Sequence, residues 1–234
     1  MQNGATNFGH SAFPVFDEKI AAKMPTYRHM TKEDRRHVYL PSDDTFLLLD
    51  AIHSDFKYTF TLDIRRIVEV GTGSGVVATS LAILFPDADV TAVDINPFAL
   101  DFARRTAKEN NTTVSVISSD LLANIPGPID MLVFNPPYVP DPFDLSQELT
   151  EDNALDFALV GGPQGRSVID RFIPEAAQAL SEHGTLYLIA IEANGVDELC
   201  HMMEGHGFDA VVMVRREFDV ETLVIIRAVL KPAE

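Results

Sequence analysis

Short apolar runs alternate with longer amphipathic stretches along most of the chain. The runs are rich in Val, Ile and Leu, as expected of buried parallel strands, and the stretches between them read as helices. Repeated strand–helix units predict an α/β fold with a parallel sheet. The predicted strands are Arg65–Val70, Asp89–Val93, Val114–Ile117, Ile129–Phe134 and Thr185–Ile191. The predicted helices are Thr45–Ile52, Val76–Phe85, Phe98–Asn110, Val168–Leu180 and Gly195–Glu204.

The end of the chain departs from this alternation. Two runs rich in Val, Ile and Met, Phe208–Phe218 and Glu221–Leu230, are separated by a two-residue turn and predict a hairpin. The whole pattern predicts a seven-stranded, mostly parallel, doubly wound sheet with a C-terminal antiparallel hairpin. Residues 37–234 are expected to form one domain, and residues 1–36, which lack sustained periodicity, an N-terminal extension.

Composition excludes several classes of protein. No apolar run is long enough to span a bilayer, and the N-terminus lacks the hydrophobic region of a secretory signal. We therefore expect no membrane association and a cytoplasmic protein, with an additional nuclear location left open. The single cysteine, Cys200, forbids an internal disulfide and a Cys-rich zinc site, so no metal site is expected.

Charge separates two kinds of partner. The net charge of −17 disfavours a protein that grips nucleic acid phosphates unaided. Residues 141–160, called the acidic segment below, contain six Asp or Glu and no Lys or Arg. This segment is either a solvated loop or a rim that attracts a basic peptide. Its acidic residues are Asp141, Asp144, Glu148, Glu151, Asp152 and Asp156.

The ends of the first two strands carry the residues typical of a nucleotide-like ligand. The first strand runs into Gly71-Thr72-Gly73-Ser74-Gly75, a turn that lets a ligand approach the backbone closely. Its spacing differs from the dinucleotide fingerprint, so the turn alone is weak evidence. Asp94 ends the second strand, where an acidic residue typically binds ribose hydroxyls. Asn96 before Pro97 already caps the next helix, which leaves Asp94 available.

The third and fourth strands end at the same edge of the sheet. Asp120 could accept a hydrogen bond from an adenine amino group while Leu121 covers the base; a turn aspartate is the alternative. The fourth strand stops abruptly at Asn135-Pro136-Pro137-Tyr138, because proline cannot continue it. The Asn135 side-chain oxygen and the Pro136 carbonyl could each accept one proton of a planar NH2 group, with the Tyr138 ring stacked on its face. Holding both protons would localise the nitrogen lone pair and aim it at an electrophile.

Together these residues resemble the class I S-adenosylmethionine-dependent methyltransferases, and more fully the HemK-type glutamine methyltransferases of release factors, in their short eukaryotic and archaeal branch. The similarity covers roughly residues 37–230 and rests on Val38–Ala51, Glu69-x-Gly71-x-Gly73-x-Gly75, Asn135–Tyr138, Gly161-Gly162, Gly165, Val168–Phe172 and Glu221–Leu223. The branch usually has Glu where Asp43 stands. The resemblance implies S-adenosyl-L-methionine as cofactor, held by Thr45, Glu69, Gly71, Gly73, Asp94, Asp120, Leu121 and Asn135. It places the acceptor amide at Asn135, Pro136, Pro137 and Tyr138, with Asn135, Pro136 and Tyr138 as catalytic residues.

The resemblance also implies a substrate and a partner. The family substrate is the glutamine of a Gly-Gly-Gln loop in the class I translation termination factor, and some members are described as methylating a histone lysine. The branch works as a heterodimer with a small zinc-binding activator protein. The strand Val114–Ile117 should be a sheet edge, which invites pairing. The expected mechanism is in-line methyl transfer without metal or covalent intermediate, and no general base is identifiable. The alternatives are a base-amino nucleic acid methyltransferase and a non-catalytic scaffold; the charge and intact Asn135 and Asp94 disfavour them.

Overall fold

The computed structural model describes residues 24–55, 59 and 62–232. The strands are β1 (Arg66–Val70), β2 (Asp89–Asp94), β3 (Ser115–Ser118), β4 (Ile129–Phe134), β5 (Leu180–Ile191), β6 (Phe208–Glu217) and β7 (Thr222–Leu230). They form one seven-stranded sheet with the order β3-β2-β1-β4-β5-β7-β6. The first five strands pair in parallel, and β7 pairs antiparallel with both β5 and β6. The predicted fold class is thereby confirmed.

The helices cover the apolar residues of the sheet. Helix α2 (Asp43–Ser54) packs against β5 and β7, whereas α3 (Val76–Leu84) packs against β1 and β2. No helix in the described part of the chain is long and apolar enough to cross a membrane. The helices are α1 (Asp34–His37), α2 (Asp43–Ser54), α3 (Val76–Leu84), α4 (Pro97–Glu109), α5 (Ala154–Leu159), α6 (Ser167–Ala179) and α7 (Val196–Gly205), with a 3₁₀ turn at Glu192–Asn194.

The strand order creates the crevice that a ligand needs. Strands β1, β2 and β3 follow one another toward one edge, and the chain then returns to place β4 on the other side of β1. In such open sheets the ligand binds beyond the carboxyl ends of the strands, where the order reverses. The residues that end β1 and β4 therefore lie at the centre of this crevice.

Some predicted elements differ from the structure by more than one or two residues. Strand β5 begins at Leu180, not Thr185, because Leu180 pairs with Ile129 beyond a register shift in β4 that local periodicity does not reveal. The acidic segment, in which no helix was predicted, contains helix α5. That helix is short, and it forms where Val139 pairs with Val160 in a parallel bridge, a contact between distant residues.

The described part of the predicted N-terminal extension packs on α4. The Thr26 backbone N–H donates to Asn110 Oδ1 at 2.7 Å, and Asn110 Nδ2 donates to the Thr26 carbonyl at 2.8 Å. The His29 ring stacks on Phe102 with 4.7 Å between centroids, and burial lowers the pKa of His29. Residues 1–23 lie outside the described residues, so the domain boundary at residue 37 stays a prediction.

Candidate active site

All of the predicted site residues line one cavity at the carboxyl edge of the sheet, with a volume of about 320 Å³. The cavity lies at the ends of β1, β2, β3 and β4, the point where the strand order reverses. The predicted residues around it are Thr45, Glu69, Gly71, Gly73, Asp94, Asp120, Leu121, Asn135, Pro136, Pro137 and Tyr138.

The glycine turn after β1 forms the floor of the cavity. Gly75 has a φ of +70°, and a Cβ there would lie 2.6 Å from the Cα of Ala103 in α4. A Cβ at Gly71, whose φ is +64°, would lie 3.1 Å from the Phe134 ring. Only glycine tolerates both the left-handed conformation and such close contacts. These glycines therefore let β1, β4 and α4 converge at the floor of the cavity.

Glu69 braces this turn from inside the protein. Its Oε2 accepts hydrogen bonds from Thr72 Oγ1 at 2.6 Å and from the Ala78 backbone N–H at 2.9 Å. Burial raises the pKa of Glu69 to about 8, and the nearby Asp94 adds to the rise. The structure thus shows Glu69 holding the turn to the start of α3; the predicted contact with a cofactor stays a prediction.

Asp94 occupies the position expected of a ribose-binding acid. Its carboxylate accepts from the backbone N–H groups of Gly73 and Asn96, each at 2.9 Å. Burial raises the pKa of Asp94, against these hydrogen bonds, which lower it. Asn96 caps α4 as predicted, since its Oδ1 accepts from the Phe98 N–H at 2.9 Å. Asp94 therefore orients the glycine turn and still faces the cavity.

Asp120 has a partner that the sequence did not reveal. The Arg171 Nη2 lies 2.7 Å from Asp120 Oδ2, and both side chains are about half exposed. Leu121 is buried and has a φ of +49°, which turns the chain at the cavity wall. An adenine amino group at Asp120 would share the carboxylate with Arg171, and the adenine role stays a prediction.

Asp44 orients the Asn135 amide, and sequence reasoning missed it. Asn135 Nδ2 donates to Asp44 Oδ2 at 2.9 Å. The reverse orientation would place an amide oxygen against a carboxylate, so Asp44 dictates which end of the Asn135 amide faces away from it. The buried Asp44 side chain is fixed in turn, because its Oδ1 accepts from the Thr45 N–H at 2.6 Å and from Thr45 Oγ1 at 3.1 Å.

The orientation of Asn135 leaves one polar atom without a partner. Its Oδ1 is buried and accepts no hydrogen bond from any of the described residues. A buried acceptor left unsatisfied costs about 1–3 kcal/mol. An N–H group brought to this point of the cavity would satisfy it. Asn135 lies on the cavity wall, and the predicted role of its oxygen as an acceptor for a substrate amide stays a prediction.

Two tyrosine hydroxyls complete the cluster around Asp44. Tyr39 and Tyr138 donate to Asp44 Oδ2 at 3.0 and 3.1 Å. Burial, followed by the Asp44 charge, raises the pKa of both phenols above its ordinary value, so both remain donors. Burial and Asp44 also raise the pKa of Glu221. The Tyr138 ring is buried and anchored at its hydroxyl; its predicted stacking on a substrate stays a prediction.

The acidic segment borders the cavity with its apolar side chains. Leu145, Leu149 and Phe157 line the cavity, whereas the six acidic residues of the segment are exposed. Asp141 and Asp144 cap the local turns, since their Oδ1 atoms accept from the N–H groups of Phe143 and Ser146, each at 2.9 Å. The segment therefore has an apolar inner face and an acidic outer face.

Asp44 and Tyr39 are difficult to find from sequence. Asp43 and Asp44 both stand at the first turn of α2, where either could serve as a helix-terminal charge. Only the burial of Asp44 and its contact with Asn135, 91 residues away, separates the two.

Comparison with known proteins identifies the class of this protein. Residues 43–155 match the family model of the methyltransferase small domain. The fold and the cavity thus define a methyltransferase. Methyltransferase HEMK2 of Mus musculus is 36% identical over 208 residues, which cover 87% of this chain and 94% of that protein. The eRF1 methyltransferase catalytic subunit mtq2 of Schizosaccharomyces pombe is 28% identical over 87% of this chain and 94% of that protein. The chain belongs to the HEMK2-type family of methyltransferases.

Solved structures agree with this assignment. A chain of the E. cuniculi Mtq2–Trm112 complex, which is responsible for methylation of the eRF1 translation termination factor, matches with a TM-score of 0.63 at 30% identity. The match covers 83% of this chain and 99% of that chain. The T. thermophilus 16S rRNA N2 G1207 methyltransferase, solved with AdoMet and guanosine, matches with a TM-score of 0.58 at 17% identity. The latter similarity shows the fold alone.

Proposed function

We propose that this protein transfers a methyl group from S-adenosyl-L-methionine to the side-chain amide nitrogen of the glutamine in the Gly-Gly-Gln loop of a class I translation termination factor. The observation that carries the proposal is the buried Asn135 Oδ1, which lacks a partner among the described residues and is held in one orientation by Asp44. An amide NH2 supplies the proton that this acceptor lacks. The S. pombe relative is named as an eRF1 methyltransferase, and the E. cuniculi complex as responsible for methylation of the eRF1 translation termination factor, which supports a termination factor as the substrate.

The cavity fits the proposed cofactor. Its glycine floor allows close approach, and the half-buried Asp94 carboxylate faces it from the end of β2. The cofactor supplies an electrophilic methyl group on a positively charged sulfur. Asp94 would hold its ribose hydroxyls, Gly71 and Gly73 would border its amino acid part, and Leu121 would cover its base.

In this mechanism the protein positions the glutamine amide and forms no covalent bond with it. Asn135 Oδ1 accepts a hydrogen bond from one N–H of the glutamine amide, and the Pro136 carbonyl accepts a hydrogen bond from the other N–H. Both contacts localise the nitrogen lone pair and direct it toward the methyl carbon. The tyrosine hydroxyls keep Asp44 in place, so that the Asn135 amide cannot turn over. The surplus proton leaves to water after the transfer.

We also propose a partner. The E. cuniculi relative was solved as a complex with Trm112. In this chain β3 is an edge strand, as predicted, and Ile117 on it is 38% exposed. We propose that β3 pairs with a small zinc-binding activator of that kind. Expressed alone, the chain would then be poorly soluble or bind the cofactor weakly, and co-expression with the activator would restore both properties.

The test of the function is a methylation assay on the termination factor. The chain, co-expressed with the activator, is incubated with isotopically labelled cofactor and termination factor, and the modified residue is located by mass spectrometry. We expect label on the glutamine of the Gly-Gly-Gln loop, and none on a factor in which that glutamine is alanine. Label on a lysine would contradict the proposed acceptor. Asn135→Ala should abolish transfer while cofactor affinity stays within about tenfold, because the contact is needed chiefly for the chemical step.

A further inference from the structure

The corner formed by Asn135–Tyr138 is held on its far side by a second buried asparagine. Asn194 ends the 3₁₀ turn that follows β5, and its side chain is 1% exposed. Its Nδ2 donates to the Tyr138 carbonyl at 2.9 Å and to the Gln164 carbonyl at 3.1 Å. Its Oδ1 accepts from the Ile191 N–H at 2.8 Å. One side chain thus joins β5, the glycine-rich residues 161–165 and the residue next to the proposed acceptor pocket.

The glycine-rich residues press directly on the same piece of backbone. A Cβ at Gly165 would lie 2.0 Å from the Tyr138 carbonyl oxygen, and a Cβ at Gly161 would lie 2.4 Å from the Pro137 carbonyl oxygen. The Gly161 N–H also donates to the Val139 carbonyl at 2.9 Å. Residues 137–139 are therefore packed closely between two glycines and the Asn194 amide, which leave no room for a side chain at either glycine.

A buried cation secures Asn194 itself. Arg166 is 7% exposed, and its Nη1 donates to the Asn194 carbonyl at 3.4 Å. The same guanidinium pairs with Glu198 at 2.7 Å and with Asp170 at 3.1 Å. These contacts connect Asn194 to α6 and α7, the rigid elements behind the site.

Together with Asp44, this arrangement holds the corner at both ends. Asp44 binds the Asn135 amide and the Tyr138 hydroxyl from the cavity side. Asn194 binds the Tyr138 carbonyl from the side away from the cavity. Transfer between a cofactor and an amide nitrogen demands close alignment, and a displacement of about 1 Å costs roughly 100-fold in rate.

We propose that Asn194 is a positioning residue for methyl transfer: its amide sets the path of the backbone through Pro137 and Tyr138 and thereby the angle between Asn135 and the acceptor nitrogen. The proposal rests on the proposed function, because it assigns Asn194 a role in that reaction. It implies that Asn194 affects turnover far more than cofactor affinity, since most of the predicted cofactor contacts, all except Thr45 and Asn135, lie at the ends of β1, β2 and β3.

The test compares Asn194→Ala with Asn110→Ala. Asn110 is a suitable control because its side chain also accepts from one backbone N–H and donates to two carbonyls, those of Thr26 and Thr106. It lies at the C-terminal end of α4 and does not line the cavity. Four quantities are measured on the complex with the activator: kcat, KM for the termination factor, cofactor Kd by calorimetry, and Tm. We expect kcat of Asn194→Ala to fall about 10- to 100-fold, with cofactor Kd unchanged. Asn110→Ala should lower Tm to a similar extent and leave kcat unchanged.

Two results would overturn the proposal: an unchanged kcat in folded Asn194→Ala, or an equal loss of kcat in Asn110→Ala. If Asn194→Ala does not fold, Asn194→Ser is used instead, because its hydroxyl keeps one hydrogen-bond donor. The same split between the two quantities is expected, namely a lower kcat with an unchanged cofactor Kd. The wild-type chain is assayed in parallel on the termination factor. If it does not methylate the glutamine, the proposed function fails; if it does and the split is absent, only the role of Asn194 fails.

Discussion

Changing Asp44 to asparagine tests the origin of the Asn135 orientation. The Thr45 N–H lies 2.6 Å from Asp44 Oδ1, so the oxygen of the new amide would stay there and its NH2 would replace Oδ2. The tyrosine hydroxyls can rotate and accept a hydrogen bond from this new NH2 group. The Asn135 NH2 group can only donate, so it would face another donor. The Asn135 amide would therefore turn over and direct its own NH2 group, in place of its oxygen, toward the glutamine amide that receives the methyl group.

The size of the effect follows from the bond that is reversed. The contact of 2.9 Å between Asn135 Nδ2 and Asp44 Oδ2 involves a carboxylate. Hydrogen bonds to charged groups contribute about 1.5–3 kcal/mol. Restoring the competent orientation in the variant would cost a comparable amount. Since each 1.36 kcal/mol corresponds to about tenfold in rate, kcat should fall about 10- to 100-fold.

The assay measures initial rates of methyl transfer to the termination factor, together with cofactor Kd by calorimetry. We expect the loss in kcat, with cofactor affinity largely retained. Asp43→Asn is the matched control, because it makes the same change of charge at the adjacent, exposed position. Wild-type turnover in Asp44→Asn, or an equal loss in Asp43→Asn, would refute the view that Asp44 orients the acceptor.

Three further predictions concern binding, stability and substrate choice. Asp94→Ala should weaken cofactor binding by about 1–3 kcal/mol, measured by calorimetry; unchanged affinity would contradict the ribose role. Glu69, with a folded pKa of about 8 against an ordinary 4.5, favours folding when protonated, so its contribution is lost as pH rises from 4.5 to 8. The free energy of unfolding, measured by urea denaturation at pH 5 and pH 8, should fall with pH in the wild type by up to about 1.4 kcal/mol per pH unit, and less in Glu69→Gln. The same fall in both proteins would contradict a raised pKa of Glu69. Changing Glu148, Glu151 and Asp152 to the corresponding amides should raise KM for a basic acceptor peptide and weaken the dependence of KM on salt, at a similar kcat. An unchanged KM at low salt would mean that the acidic segment is a solvated loop without a role in substrate choice.

Local sequence was enough to predict most elements that build the cavity. The runs that became β1, β2 and β4 are short, apolar and followed by turn residues, so periodicity and punctuation agree. Asn96 before Pro97 marked the start of α4 in the same way. The start of β5 was missed because Leu180 pairs with Ile129 beyond a register shift, a contact with no local pattern.

The sequence by itself determined the succession of strand–helix units along the chain, because hydrophobic period and connection length are local properties. Since the strands of such units run parallel, the sequence also indicated which strand ends meet at one edge of the sheet. That was sufficient to bring Gly71, Asp94 and Asn135 together. Only the tertiary structure decided how the acceptor is held. Asp44 is 91 residues from Asn135 in the chain, and Asn194 is 56 residues from Tyr138. An aspartate at a helix start and an asparagine after a strand look alike whether exposed or buried. Their roles come from burial and distance, which arise only when the chain has folded.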